Sequence, residues 1–274
     1  MFDYHVHTSF SADSATPMAA QVEAAIAAGL REIAFTEHED YNPGDETSFF
    51  FRHADYHAEV DRCQAQYGDR IRILRGIEVS EPHRTAPLCG PVLAGYPWDF
   101  VLGSLHWVDG QYNAYLKDYY LRFGDWRESM RKYFRELSDL ARGGDFDVMS
   151  HLDYPVRYGV QVFGDAYDIA DFEREIRPAL RILADRGKGM EINTNPLWRH
   201  KAHPNPPGIA VRWFREEGGE VLTVGSDSHR PATTGACIDQ AIVLARAAGF
   251  TRLATFNKRK VTFVDLPPNP KPAA

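Results

Sequence analysis

Short runs rich in apolar residues recur along the chain, separated by longer stretches of helical character. The first is Phe2-Asp3-Tyr4-His5-Val6-His7-Thr8-Ser9-Phe10, and others cover 32–36, 71–79, 100–106, 146–150, 189–193 and 221–226. Each reads as a strand. Between them the pattern predicts helices over 18–28, 53–67, 125–141, 169–186, 209–217 and 236–248, with Gly29, Gly68 and Gly187 as stops. Thr16 followed by Pro17 reads as an N-cap with proline at the first helical position. Residues 41–52 form a loop long enough to cover a site, and a last strand-like run spans 260–264. The Pro-rich tail, 267–274, is expected to be disordered, which leaves one domain over 1–266 with no internal repeat.

Strands alternating with helices predict an α/β fold with a parallel sheet inside. Seven such strands suit a distorted, TIM-like (β/α)7 barrel, whose strand carboxyl ends converge on one mouth. An open doubly wound sheet is the alternative, but it would not gather all seven strand ends around one cluster.

Those ends carry the polar residues. His5 and His7 lie on one face of the first strand about 7 Å apart, close enough for both imidazoles to reach one ion. Later strands deliver Glu37-His38-Glu39-Asp40, Glu78, His106, His151 and Asp227-Ser228-His229, and Asp13 follows the first strand closely. The candidate metal ligands are therefore His5, His7, Asp13, His38, Glu78, His106, His151, Asp227 and His229. Any one of them alone reads as a capping or packing residue, but independent caps have no reason to choose histidine six times. Imidazole and carboxylate without thiolate suit zinc, manganese or iron. Nine ligands exceed what one ion takes, so two or three ions bridged by Glu78 are the economical arrangement. His53, His57, His83, His200 and His203 fall on predicted helix or loop positions and read as solvated surface groups.

Bulk properties narrow the partners. A net charge of −7 over 274 residues argues against general binding to nucleic acid or to an anionic membrane. The three cysteines are odd in number and lack a Cys-x-x-Cys spacing, so neither a disulfide framework nor a thiolate site is expected. With no apolar run of membrane-spanning length and no leader pattern, a cytoplasmic protein is expected. Oligomeric state is not readable.

The succession His5-Val6-His7-Thr8, Thr36-Glu37-His38, Gly76-Ile77-Glu78, Gly103-Ser104-Leu105-His106, Ser150-His151-Leu152-Asp153 and Gly225-Ser226-Asp227-Ser228-His229 resembles the PHP (polymerase and histidinol phosphatase) superfamily. The likeness runs from residue 3 to about 230 and is nearest to the stand-alone histidinol-phosphate phosphatases. It implies a distorted (β/α)7 barrel with up to three ions: one on His5, His7, Glu78 and Asp227, a second sharing Glu78 with His106 and His151, a third on Asp13, His38 and His229. Many relatives have histidine where this chain has Asp13, and Thr-Asp-His is commoner than Thr36-Glu37-His38. The implied reaction is hydrolysis of L-histidinol phosphate to L-histidinol and phosphate by metal-activated hydroxide.

Arg157 and Arg199 are then candidates to hold phosphate, since arginine grips two oxygens at once. Asn193 and Asn195 either orient substrate or shape a turn, and Glu191 is a candidate partner for a cationic group such as histidinol's amine. Asp153, Asp40 and bound water are the candidate acids for the leaving group, with Asp227, His229, Arg157 and Asp153 as the catalytic set. Rival readings are a PHP phosphoesterase for another small phosphate or for nucleotides, and an amidohydrolase. The latter would need a bridging lysine where this chain has Glu78. A metal-binding barrel without catalysis is the non-enzymatic rival.

Overall fold

The computed structural model describes residues 1–45, 47–200 and 203–267. Its strands are β1 (Phe2–Val6), β2 (Glu32–Glu39), β3 (Arg72–Ser80), β4 (Phe100–Ser104), β5 (Trp107–Val108), β6 (Tyr112–Asn113), β7 (Val148–Met149), β8 (Gly189–Asn193), β9 (Leu222–Gly225), β10 (Arg252–Asn257) and β11 (Lys260–Asp265). The helices are α1 (Met18–Ala27), α2 (His53–Tyr67), α3 (Ala86–Gly95), α4 (Lys117–Leu121), α5 (Trp126–Gly143), α6 (Val156–Phe163), α7 (Glu173–Asp185), α8 (Asn195–His200), α9 (Gly208–Glu216) and α10 (Ile238–Ala247).

Seven strands form one parallel sheet in the order β1-β2-β3-β4-β7-β8-β9. The sheet curls into a nearly closed barrel. Closure comes just past the strands: Val6 bridges Ser228, the His7 N–H donates to Ser228 O at 2.9 Å, and the Asp227 N–H donates to His5 O at 2.7 Å. The backbone of the candidate ligands therefore closes the barrel.

The interior is layered along each strand by the two-residue period. Near the strand starts, Tyr4, Ala34, Leu74, Phe100, Leu102 and Val148 form an apolar plug, sealed by Phe256 from the antiparallel hairpin β10–β11. Farther along, the inward positions turn polar: Thr36 and His38 on β2, Glu78 and Ser80 on β3, Ser104 on β4, Glu191 and Asn193 on β8. A larger core of Val, Ile, Leu and aromatic side chains fills the space between sheet and helices. Burial on both faces explains why the strands read as near-continuous apolar runs.

β1 solves a register problem. Its pairing with β2 slips by one residue between Asp3 and Val6. An extra residue of this kind re-aims the side chains that follow it. Tyr4 can thus join the plug while His5 and His7 reach the opposite end.

Several expectations need correction. Thr16 does not cap α1; its hydroxyl donates to His229 O at 2.8 Å, and Pro17 occupies the cap position without a side-chain bond. β4 ends at Ser104 and β7 covers only Val148–Met149, so His106 and His151 sit in the loops beyond. The stretch 169–186 opens as a 3-10 turn over Ile169–Phe172 before α7 begins. α3, α4, α6, α8 and β10 were not expected, and α3 carries Pro91 inside it. Of the Pro-rich tail, 268–274 lies outside the described residues.

Candidate metal centre

Asp13, His38, Glu78, His106, His151, Asp227 and His229 line one cavity of about 600 Å³ at the carboxyl ends of the strands, and His5 and His7 are buried against Glu78 and Asp227 beside it. Glu78, fully buried at the inward end of β3, is the hub. Its Oε2 lies 3.3 Å from His5 Nε2, 3.5 Å from His7 Nε2 and 3.2 Å from His38 Nδ1. Its Oε1 lies 3.1 Å from His151 Nε2 and 3.7 Å from His106 Nε2. Asp227 Oδ1 lies 3.5 Å from His7 Nε2 and 3.8 Å from His5 Nε2. At the rim, His229 Nε2 meets Asp13 Oδ2 at 2.8 Å, with His38 Nε2 3.7 Å from the same oxygen.

The donor atoms fall into groups whose members lie within 4.8 Å of one another: His5, His7 and Asp227; Glu78, His106 and His151; His7, Asp13, His38 and His229. A further group, His38 with Asp40 and His106, was not anticipated.

Backbone and packing aim these groups. Asp227 adopts a left-handed backbone with φ 53°, a costly conformation for aspartate that turns its side chain into the mouth. Gly225 is needed beside it, because a Cβ there would stand 2.4 Å from both Glu191 Oε1 and His5 Cβ. Glu191 is fully engaged behind the floor: Oε1 meets His5 Nδ1 at 2.8 Å, and Oε2 accepts from the His151 N–H at 2.9 Å and from Asn193 Nδ2 at 3.1 Å. It is an internal strut and faces no substrate amine.

The electrostatics favour cations. Burial opposes charge on His5 and His38, yet the proton affinity of both is raised well above the ordinary imidazole value. Glu191, Glu78 and Asp227 act on His5, and Glu78, Asp13 and Asp40 on His38. Burial likewise opposes ionisation of Glu78 and Asp227, but His5 and His38 beside the first, and Arg157 and His5 beside the second, hold both below the carboxylate range. His7 Nε2 and His38 Nδ1 are buried without a hydrogen-bond partner. A floor of ionised carboxylates and crowded imidazoles, with donor atoms left unsatisfied, fits two to three divalent ions.

Arg157 lies on the wall. Its Nη1 donates to Asp227 Oδ2 at 2.6 Å and its Nε to Asn205 Oδ1 at 2.7 Å, while Nη2 is buried with no partner. Burial works against the guanidinium charge, but Asp227 more than offsets it and keeps Arg157 protonated. Arg199 and Asn195 also line the cavity, with Tyr115, Tyr154, Tyr158 and Trp198 around them. The Asn195 N–H donates to Asn193 Oδ1 at 3.0 Å, forming the turn after β8, while Asn195 Oδ1 has no partner.

Asp153 is placed elsewhere. It is buried behind Arg157, accepting from Asn205 Nδ2 at 2.8 Å, and it does not line the cavity; burial pushes its carboxyl up to about 6.

The histidines expected at the surface divide. His53 meets Glu39 at 2.6 Å, His83 faces Glu136 at 3.3 Å, and His57 stacks on Tyr96 with ring centroids 4.9 Å apart. Only His203 among them is exposed, and the His200 side chain lies outside the described features. Among its described residues, loop 41–52 contributes none to the cavity lining; Asp45 within it accepts from Trp107 Nε1 at 3.0 Å. Sequence reasoning missed Glu81 and Asn205. Glu81, buried with φ 47°, accepts the N–H groups of His106 and Trp107 and so fixes the loop bearing His106. Burial pushes its carboxyl up to about 8.

A family model described as the PHP domain matches residues 3–195. The chain belongs to the PHP domain family. Among its PHP relatives, the histidinol-phosphatase of Lactococcus lactis subsp. lactis (strain IL1403) is 34% identical over 262 residues, covering 94% of this chain and 95% of that protein. A probable histidinol-phosphatase of Clostridium acetobutylicum is 30% identical, covering 89% and 92%. The crystal structure of the Lactococcus lactis histidinol phosphate phosphatase, complexed with zinc, L-histidinol and phosphate, matches this PHP barrel with a TM-score of 0.87. The two chains are 33% identical, over 95% of this one and 98% of that one.

Proposed function

We propose that the chain is a metal-dependent phosphomonoesterase that hydrolyses L-histidinol phosphate to L-histidinol and phosphate, a step of histidine biosynthesis. The observation that carries the reading is Arg157 Nη2, a buried cationic donor with no partner, on the wall of the cavity floored by Glu78 and Asp227. A guanidinium held rigidly on two sides with its third nitrogen free is prepared for an anionic oxygen. Likeness to the Lactococcus lactis enzyme, whose complex holds L-histidinol and phosphate, supplies the substrate class.

Two or three divalent ions (zinc, manganese or iron), held by His5, His7, Asp13, His38, Glu78, His106, His151, Asp227 and His229, would supply Lewis acidity to the phosphoryl oxygens and make water nucleophilic near neutral pH. Arg157 donates from Nη2 to an outer phosphoryl oxygen, and its charge opposes the negative charge that accumulates there. Asp227 fixes Nη1 and Asn205 fixes Nε, so no rotamer freedom is lost when the phosphate arrives. Arg199 donates from the rim. Asn195 Oδ1 accepts from the alcohol or amine part of the substrate, and the arenes of Tyr154, Tyr158 and Trp198 pack against its ring. Among the described residues no helix is long and apolar enough to cross a membrane.

Phosphate release from L-histidinol phosphate, with the protein stripped of metal and then restored with zinc, manganese or iron, tests the reading. Turnover that appears only on restoration is expected. Wide preference for another phosphate ester would replace the substrate, and metal uptake without any phosphatase activity would end the enzymatic reading.

A further inference from the structure

Behind the floor stand two three-membered chains built alike. Behind His106, Ser80 Oγ donates to Asp40 Oδ1 and lies 2.8 Å from His106 Nδ1. Behind His7, Ser11 Oγ donates to Glu37 Oε2 at 2.6 Å and lies 3.0 Å from His7 Nδ1. A hydroxyl has one proton and two lone pairs, and an ionised carboxylate only accepts. Each serine proton is therefore committed to its carboxylate, and the serine oxygen can only accept from the imidazole. Nδ1 must then carry the ring proton, leaving Nε2 as a bare lone pair. At Ser11 the inventory closes, because the His38 N–H fills the second lone pair at 3.1 Å.

Both carboxylates are fixed as acceptors. Glu37 also takes the N–H and the hydroxyl of Thr8 at 2.9 and 2.6 Å, and Asp40 shares the Thr47 hydroxyl with Asp45, at 3.0 and 2.7 Å. The freed nitrogens point into the floor: His106 Nε2 is 3.4 Å from His151 Nε2, and His7 Nε2 is 3.5 Å from both Glu78 and Asp227. His5 and His229 keep a proton on Nδ1 more directly, the first against Glu191 and the second by donating from Nδ1 to the Asp227 carbonyl at 3.1 Å.

We propose that Ser80 with Asp40, and Ser11 with Glu37, are positioning residues that lock His106 and His7 as Nδ1–H tautomers and so present Nε2 to a divalent cation. The inference rests on the metal-centre reading of the same floor. The opposite tautomer would put a proton where the cation belongs, and losing such outer partners typically costs about 10- to 100-fold in metal affinity.

Long-range 1H–15N NMR of the metal-stripped chain, above the ordinary imidazole titration range, reads each tautomer directly, with His106 and His7 assigned from His106→Gln and His7→Gln spectra. Both rings should be Nδ1–H. Ser80→Ala should shift His106 towards Nε2–H, leave His7 unchanged, and weaken zinc binding by chelator competition about 10-fold or more. Ser11→Ala should do the converse. A wild-type His106 already in the Nε2–H form, or Ser80→Ala with unaltered His106 tautomer and zinc affinity, overturns the proposal. Wild-type protein that takes up no zinc at all would defeat the metal-centre reading instead, while the NMR signature still decides the tautomers.

Discussion

The two ends of the barrel interior are built from the same strands and do opposite things. Leu74 and Glu78 lie four residues apart on β3, and Ala34 and His38 four apart on β2, each pair on one inward face. One member of each pair joins the apolar plug around Tyr4, Phe100 and Phe256; the other joins the polar floor. The plug is held mainly by burial, with the Tyr4 hydroxyl bonded to Glu32 and to the Phe256 N–H, whereas the floor is held by buried carboxylates and imidazoles acting on one another. Stability and chemistry are thus separated along a strand rather than between domains, as active sites at the carboxyl ends of barrel strands generally allow.

The sharpest way to break that contrast is Glu78→Gln, which keeps the shape and removes the hub's charge. Five imidazoles lie within 3.7 Å of its two oxygens. Turnover on L-histidinol phosphate should fall about 1,000-fold, roughly 4 kcal/mol of barrier. Bound zinc per chain should fall with it, and the thermal midpoint of the metal-stripped protein should drop as well, because His5 and His38 hold Glu78 ionised in the fold. Retained turnover would show that the floor is not the reacting centre.

Phe256→Ala attacks the other end. The ring is 3% exposed, and its centroid lies 4.9 Å from that of Phe100 and 6.2 Å from that of Tyr4. Truncating a buried phenylalanine costs about 3 kcal/mol or more. Denaturant unfolding should register that loss, while kcat per folded molecule stays at the wild-type value. A matching fall in kcat would mean that the plug also sets the geometry of the floor.

The contrast was partly legible in the sequence. A strand alternates its faces, so a histidine or carboxylate ending an apolar run points either to the mouth or into packing. Repetition over several strands made the mouth the economical reading. What stayed hidden depends on two segments at once. The slip between β1 and β2 that sends Tyr4 down and His5 up is a property of a pair of strands. Ser80, Ser11, Glu37 and Asn205 carry no signature of their own, and become meaningful only against His106, His7 and Arg157 across the barrel. Glu191 misled because its inward position was correct while the imidazole waiting 2.8 Å away was invisible. α3 was missed because Pro91 breaks the helical pattern in a segment that tertiary packing nevertheless holds helical.

An unpartnered buried imidazole nitrogen means different things at the mouth and in the outer wall, and His57 sharpens that difference. His7 Nε2 faces carboxylates, whereas His57 stacks on Tyr96, lies 4.8 Å from Trp98 by ring centroid, and has neither nitrogen bonded. Burial first, then the charges of Arg75 and His53, lower its pKa to about 4. With the folded value below the unfolded one, the contribution to stability is complete above the unfolded value of about 6.5 and is lost as pH falls towards 4. Partial exposure screens the effect to about 1 kcal/mol. His57→Phe keeps the stack and removes the proton site, so urea unfolding should show the variant losing less stability than wild type between pH 7 and pH 4.5. Equal losses would place the ring in water rather than against Tyr96 and return His57 to the solvated surface that its helix pattern suggested.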